Sequence, residues 1–191
     1  MKKLQDKILQ EGKVLPGGII KVDSFLNHQV DPFFLEEMAA EFHRLFAEDS
    51  ITKVLTIEAS GIAIAAFTAK AFGVPMVYAK KAGARNISED TYRAEVHSFT
   101  YDVTYPVTVA KEYLSPDDRL LIIDDFLANG QAIRGMISIA RQAGAEVAGI
   151  GVCIEKVAQH GGEGLRDKFH VESLATIEQM DENGIVFKEA E

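Results

Sequence analysis

Apolar positions along the chain follow two periods, and the places where one gives way to the other mark its elements. Leu4, Ile8 and Leu9 fall on one face of a helix over residues 3–10, which Gly12 is placed to stop. Asp31-Pro32 reads as a helix start, a capping side chain followed by a proline at the first helical position. Leu35, Met38, Phe42, Leu45 and Phe46 then continue at helical spacing to about residue 47. Residues 53–57 form a short β-rich run that leads into Glu58-Ala59-Ser60-Gly61, a small-residue helix over 62–72 ended by Gly73, and a strand over 74–79. Residues 80–93 are polar. After them, residues 96–109 are rich in Thr, Tyr, Val and Phe, with Asp102 near the middle and Pro106 beyond it, the pattern of a hairpin with edge strands. A buried-type strand over 119–123, a helix over 131–142 stopped by Gly144, and a second buried strand over 147–154 follow. A glycine cluster (Gly161, Gly162, Gly164), a short helix near 165–169 and a final strand or hairpin close the chain.

Strand and helix alternate through residues 53–154, which predicts an α/β fold with a parallel sheet and helices on both faces. At 191 residues with 47% hydrophobic content the chain suits one domain spanning 1–191, without a linker or internal repeat. A single cysteine, Cys153, allows no internal disulfide and fits a reducing compartment. Lys2 and Lys3 precede Gln5, Asp6 and Lys7, where a signal peptide needs an apolar run. The longest apolar stretch, 61–69, has about half the length a bilayer span requires. The expectation is a cytoplasmic protein that does not engage a membrane.

Net charge is −9, and from Glu172 onward six acidic residues face one basic residue, Lys188. Such a balance disfavours a nucleic-acid partner. It leaves the rest of the chain only mildly acidic, so a positive pocket remains open to it.

Open parallel sheets bind ligands outside the carboxyl ends of their strands. Three loops leave such ends here: 58–61, 124–130 and 155–164. In LLIIDDFLANGQA (120–132) a strand, two carboxylates and a glycine-containing turn open a helix. Free backbone N–H groups and the positive helix end suit a phosphate, while Asp124 and Asp125 suit a polyol or a nearby cation. A sugar phosphate fits both. The plainer alternative makes the aspartates loop-start residues and Asn129 a helix cap. Glu58 to Gly61 is either a tight turn or an anion-binding loop, and Lys156 is either a site residue at the sheet edge or a snorkelling surface lysine.

Other signatures fail. No G-x-x-x-x-G-K-[ST] loop and no G-x-S-x-G elbow exist, and Ile154 stands where a third glycine would have to follow Gly149 and Gly151. The histidines at 28, 43, 97, 160 and 170 lack zinc spacing. Cys153 falls mid-strand, where an inert buried thiol is expected, and the glycine cluster reads as a flexible loop.

LLIIDDFLANG followed by a helix resembles the diphosphosugar-binding motif of type I phosphoribosyltransferases. KVDSFLNHQVD (21–31), TIEASGIA (56–63), the strand opened by GVP (73–75) and GAEVAGIGVCIEK (144–156) resemble, in order and spacing, the bacterial members that act on xanthine. The resemblance covers nearly the whole chain and implies the family's fold, a parallel sheet flanked by helices with a small hood subdomain. It implies that Asp124 and Asp125 contact the ribose hydroxyls of phosphoribosyl diphosphate, and that Ala128, Asn129, Gly130, Gln131 and Ala132 cradle its 5′-phosphate. Glu58, Ala59, Ser60 and Gly61 would bind pyrophosphate through main-chain amides. Ile20, Asn27 and Lys156 would contact xanthine. Residues 1–30 and about 155–191 would shape the hood and base pocket, and a mobile loop at 80–93 would close over the reaction.

Two departures stand out. Asn129 replaces a threonine common in relatives, and Ile20 a leucine, a swap that preserves volume. Segment 83–92 matches too poorly for any single residue there to take a role. The implied activity is purine salvage, with phosphoribosyl transfer to xanthine, Mg2+ as cofactor, and a homodimer. Within the same class, guanine or hypoxanthine preference is an alternative. A regulator that senses phosphoribosyl diphosphate without turnover is another, disfavoured by the acidic chain.

Overall fold

The computed structural model describes residues 1–16, 18–81, 90–98, 102–181 and 184–188. Its centre is an eight-stranded sheet in the order β10-β9-β8-β7-β3-β4-β6-β5. Strands β3 (Lys53–Ile57), β4 (Met76–Lys81), β7 (Arg119–Leu127), β8 (Glu146–Lys156) and β9 (Val171–Asp181) are parallel. Antiparallel strands flank them: β10 (Gly184–Phe187) on β9, and the hairpin β5 (Thr91–Ser98) and β6 (Val103–Ala110) on β4.

The continuous apolar run of β7 is explained by burial on both faces. Leu121 and Ile123 pack with α1 (Lys2–Glu11), α2 (Pro32–Leu45) and α3 (Gly61–Phe72). Leu120 and Ile122 pack with α4 (Gln131–Ala143) and the β5–β6 hairpin on the other face. Asp31 caps α2 as its sequence promises, its carboxylate accepting from the Phe34 amide at 3.1 Å.

Several expectations change. In α1, Leu4 and Ile8 are buried but Leu9 is 53% exposed, because an offset of one residue from Ile8 turns it about 100° off the docked stripe. A short hairpin, β1 (Lys13–Leu15) with β2 (Ile19–Lys21), and a π-helical turn over Asp23–Asn27 were not signalled by periodicity. Residues 165–169 form turns rather than a helix, closed by the Phe169 amide on the Leu165 carbonyl. Strand β5 starts at Thr91, so residues 91–93 belong to the hairpin, while 82–89 of the expected loop lie outside the described residues. The hairpin does supply the sheet's edge, β5. Pro106 opposes Glu95 just before the short stretch, Val107–Thr108, that also bonds to β4, so the sheet loses little from its missing N–H. Among the described residues no helix is long and apolar enough to cross a membrane.

At the opposite end of the sheet, His170 Nδ1 meets Asp49 at 2.9 Å and Nε2 meets Glu172 at 3.2 Å. Partial burial pulls the imidazole down, but the two carboxylates outweigh it and hold it above its ordinary range. A raised histidine stabilises the fold fully below its unfolded value, about 6.5, and that stability is lost as pH rises through the folded value. Denaturant midpoints of wild type and His170→Asn should therefore differ most near pH 5.5 and converge toward pH 8.5. The ring is 37% exposed, so screening keeps the difference small. A gap independent of pH would rule the clamp out.

Candidate active site

The chain leaves β3 through α3 toward β4, and leaves β7 through α4 toward β8, in opposite directions across the sheet. Because β3 and β7 are neighbours, their carboxyl ends flank the point where strand order reverses, and the loops that follow diverge onto opposite faces. A crevice at this point is where open α/β sheets take ligands.

Each side of the crevice offers a bare helix start. Gly130 is the N-cap of α4 and Ser60 that of α3, and neither helix has a side-chain cap, in contrast to α2. Asn129 is therefore not a cap, which removes the plainer reading of that loop. The start of α4, whose first amides lack intrahelical acceptors, borders a cavity of about 630 Å³ lined by all of Ala128–Ile133.

Gly130 takes φ +72°, and a Cβ there would fall 2.7 Å from the Gly161 carbonyl oxygen. Gly161 in turn leaves no space for a Cβ, which would run into the Ala128 carbonyl. Gly161 and Gly162 are buried, the first against the backbone of the 128–130 loop and the second against the Glu155 and Arg166 side chains, while Gly164 is exposed, so the open loop that the composition suggests is kept only at Gly164. Gly130→Ala should cost about 1–3 kcal/mol for the left-handed backbone, read as a thermal midpoint several degrees lower. An unchanged midpoint would mean that the loop relaxes freely.

Asp124 and Asp125 lie inside β7 rather than at a loop start, 4% and 8% exposed. Burial first, and the neighbouring Asp125 carboxylate second, push Asp124 well above the usual carboxylate range. The Asp125 amide donates to Asp124 Oδ1 at 3.0 Å. A Cβ on Gly61 would lie 3.2 Å from that same Oδ1 and would collide with Thr56 Oγ1, so both oxygens converge on the start of α3. Among the described residues, buried Thr56 Oγ1 has no hydrogen-bond partner. Glu58 turns away from the crevice, accepting from the Lys81 amide at 2.7 Å.

The purine-side residues come from distant parts of the chain. Lys156, the last residue of β8, lines the cavity, lies 5.4 Å over the Phe126 ring and donates to the Gly18 carbonyl at 3.3 Å. Burial lowers its pKa, so the ammonium is partly withdrawn from water at the cavity wall. Ile20 of β2 is 5% exposed and lines the same cavity. Asn27 Oδ1 is buried and, among the described residues, has no hydrogen-bond partner.

A family model described as Phosphoribosyl transferase domain matches residues 22–191. The chain belongs to the phosphoribosyltransferase family. The xanthine phosphoribosyltransferase of Ruminiclostridium cellulolyticum is 50% identical over 190 residues, covering 99% of this chain and 100% of that one. That of Bacillus cereus is 48% identical over 192 residues, with 100% and 98% covered. Among solved structures, the APRTase of Giardia lamblia superposes with a TM-score of 0.79 at 25% identity, covering 92% of this chain and 98% of that one.

Within this phosphoribosyltransferase fold, seven residues singled out from sequence (Ile20, Ala128, Asn129, Gly130, Gln131, Ala132 and Lys156) line one cavity. Asn27, the acidic pair and Glu58–Gly61 do not line it; the last two groups converge beside it at the switch point. Sequence reasoning missed Phe126, Tyr105, His97 and Gln159 on the cavity wall. Phe126 carries a local signal, as an aromatic following a carboxylate pair at a strand end. Tyr105 and His97 carry none, because only hairpin packing brings them across from α4. Burial pushes the Cys153 thiol up, in keeping with an inert core cysteine.

Proposed function

We propose that this chain transfers the 5-phosphoribosyl group of phosphoribosyl diphosphate to xanthine, giving xanthosine monophosphate and pyrophosphate in purine salvage. The observation that carries this reading is the shared cavity: the uncapped start of α4 on one wall and the half-buried Lys156 ammonium on another. Relatives about half identical over their full length, named xanthine phosphoribosyltransferases, support it.

In this reading the amides of Ala128–Ala132 hold the 5′-phosphate at the positive end of α4. The amides at the start of α3, with Glu58 held aside by Lys81, receive the pyrophosphate. Asp124 and Asp125 accept from the ribose hydroxyls. The bond from the anomeric carbon to the pyrophosphate oxygen breaks with its electron pair on oxygen, and a nitrogen of the purine's imidazole ring, whose N–H proton passes to water, forms the new bond to that carbon. The buried carboxylates favour the positive charge that develops on the ribose. The phosphate grip and the base pocket hold the two reactants in line. Lys156 donates to a xanthine carbonyl, and Asn27 Oδ1 accepts from a ring N–H. Adenine, with an amino donor in place of a carbonyl, leaves Lys156 unmatched and is disfavoured.

The donor set suits Mg2+. Two carboxylates and the unpartnered Thr56 hydroxyl are hard oxygens, and among the described residues no cluster of three or more His, Cys, Asp or Glu side chains forms a protein cage. An ion held there would keep substrate oxygens and water as its other ligands. When bound with the diphosphate, Mg2+ neutralises its charge and favours its departure. The proposed unit is one catalytic domain over 1–191 acting as a cytoplasmic homodimer. Phe33, 81% exposed at the start of α2, is the kind of apolar residue a partner copy would cover.

The test is pyrophosphate release from phosphoribosyl diphosphate and Mg2+ with xanthine, guanine, hypoxanthine or adenine. Selective xanthine turnover is expected. Adenine preference would overturn the base pocket, and bound phosphoribosyl diphosphate without turnover of any purine would make the protein a sensor.

A further inference from the structure

We infer that Glu155, Arg166 and Ser173 form a positioning unit that sets the affinity for phosphoribosyl diphosphate by bracing the phosphate loop from behind through Gly161 and Gly162. The inference rests on the reading that residues 128–132 hold the 5′-phosphate.

Glu155 and Lys156 end β8, and their side chains serve different tasks. Lys156 lines the main cavity, whereas Glu155, 4% exposed, is engaged with Arg166 and Ser173. Arg166 Nη1 and Nη2 donate to the two carboxylate oxygens at 2.9 and 2.5 Å. Ser173 Oγ donates to Oε2 at 2.6 Å, and Arg166 Nη2 also reaches Ser173 Oγ at 3.4 Å. Burial pushes the Glu155 carboxyl up, but the Arg166 and Ser173 hydrogen bonds together outweigh it and hold it below the usual carboxylate range. A two-pronged pair of this kind fixes orientation as well as distance.

Gly162 lies flat against this pair. A Cβ there would fall 2.6 Å from Glu155 Oε1 and would also run into the Arg166 guanidinium. The adjacent Gly161 is pressed on the Ala128 carbonyl and the Gly130 amide, and Arg134 of α4 donates to the Glu163 carbonyl at 3.2 Å. Ion pair, Gly162, Gly161 and phosphate loop thus form one stack of direct contacts. Gln159, between Lys156 and the stack, lines the main cavity. On the outer side Glu155, Gly162 and Arg166 border a second cavity of about 470 Å³, open space into which the loop could retreat were the pair lost.

The test compares wild type with Arg166→Met, Arg166→Lys, Ser173→Ala and the double variant Glu155→Gln/Arg166→Met. The double variant removes the buried charge that Arg166→Met strands, which guards against simple unfolding. KM for phosphoribosyl diphosphate should rise about tenfold or more in the double variant, as expected for a displaced binding loop, while KM for xanthine stays within about twofold and kcat at saturation within about threefold. Arg166→Lys should fall between, keeping charge but losing the fork. A folded double variant whose KM for phosphoribosyl diphosphate stays within about twofold of wild type would overturn the inference. So would equal rises for both substrates, the mark of general loosening. If wild type itself fails to bind phosphoribosyl diphosphate, it is the functional reading that fails.

Discussion

Asp124→Asn is expected to lose about 10²–10³-fold in kcat/KM for phosphoribosyl diphosphate and, at the same time, to make the empty protein more resistant to heat at neutral pH. The two effects have one cause. Asp124 is a buried carboxyl beside a second carboxylate, and both burial and that neighbour raise its pKa. For a raised acid the stabilising contribution is full below the unfolded value, about 3.9, and is lost as pH rises through the folded value. Near pH 8 the native protein therefore carries a penalty that an uncharged, isosteric asparagine relieves. Asparagine keeps the Oδ1 that accepts from the Asp125 amide, so the backbone there should hold. What it cannot supply is negative charge beside the ribose as pyrophosphate departs. Steady-state kinetics and a thermal melt of the ligand-free protein, both at pH 8, check the pair of outcomes. Activity within threefold of wild type would remove Asp124 from the site, and a lower midpoint would show that its carboxylate stabilises the fold.

Lys156→Ala should lower kcat/KM for xanthine by about 10–100-fold, the worth of a hydrogen bond from a charged group in a part-buried pocket, and leave the weak rate with adenine nearly unchanged. The side chain reaches the cavity from the end of β8, rests over Phe126 and donates a 3.3 Å bond to the Gly18 carbonyl that it would release. Truncation leaves a xanthine carbonyl without its donor but removes nothing that adenine uses. The measurement is the ratio of kcat/KM for xanthine to that for adenine in wild type and variant. A ratio unmoved by the substitution would assign base selection to other walls of the cavity, with Gln159 and His97 the next residues to change. The superposition on the Giardia lamblia APRTase gives this experiment its weight, since the frame is shared and base selection has to come from a few side chains.

Much of the site was legible because its parts are local. The step from strand to helix, the acidic pair after four apolar residues, and the glycine-containing turn that opens a helix all lie within 120–132, and each is set by neighbours a few residues away. The same holds for Asp31-Pro32, whose cap the structure reproduces. Errors fall where local pattern and packing compete. Leu9 satisfies a helical repeat but faces solvent because α1 docks along Leu4 and Ile8. Residues 165–169 have helical composition, yet Arg166 is drawn to Glu155, eleven residues earlier, and the segment closes as turns.

By itself the sequence determined the alternation of strand and helix over 53–154, the strand ends at which the site would sit and the identity of the charged groups, since these depend on backbone preference and the period of apolar residues. Tertiary structure alone decided that Gly130 and not Asn129 is the N-cap of α4, that Gly161 presses on the 128–130 loop, and that Lys156 shares a cavity with Ile20. It also decided that Asp124 is buried deeply enough to be pushed up. Those facts depend on close approach between segments up to 136 residues apart and on exclusion of water from between them, and no local period encodes either.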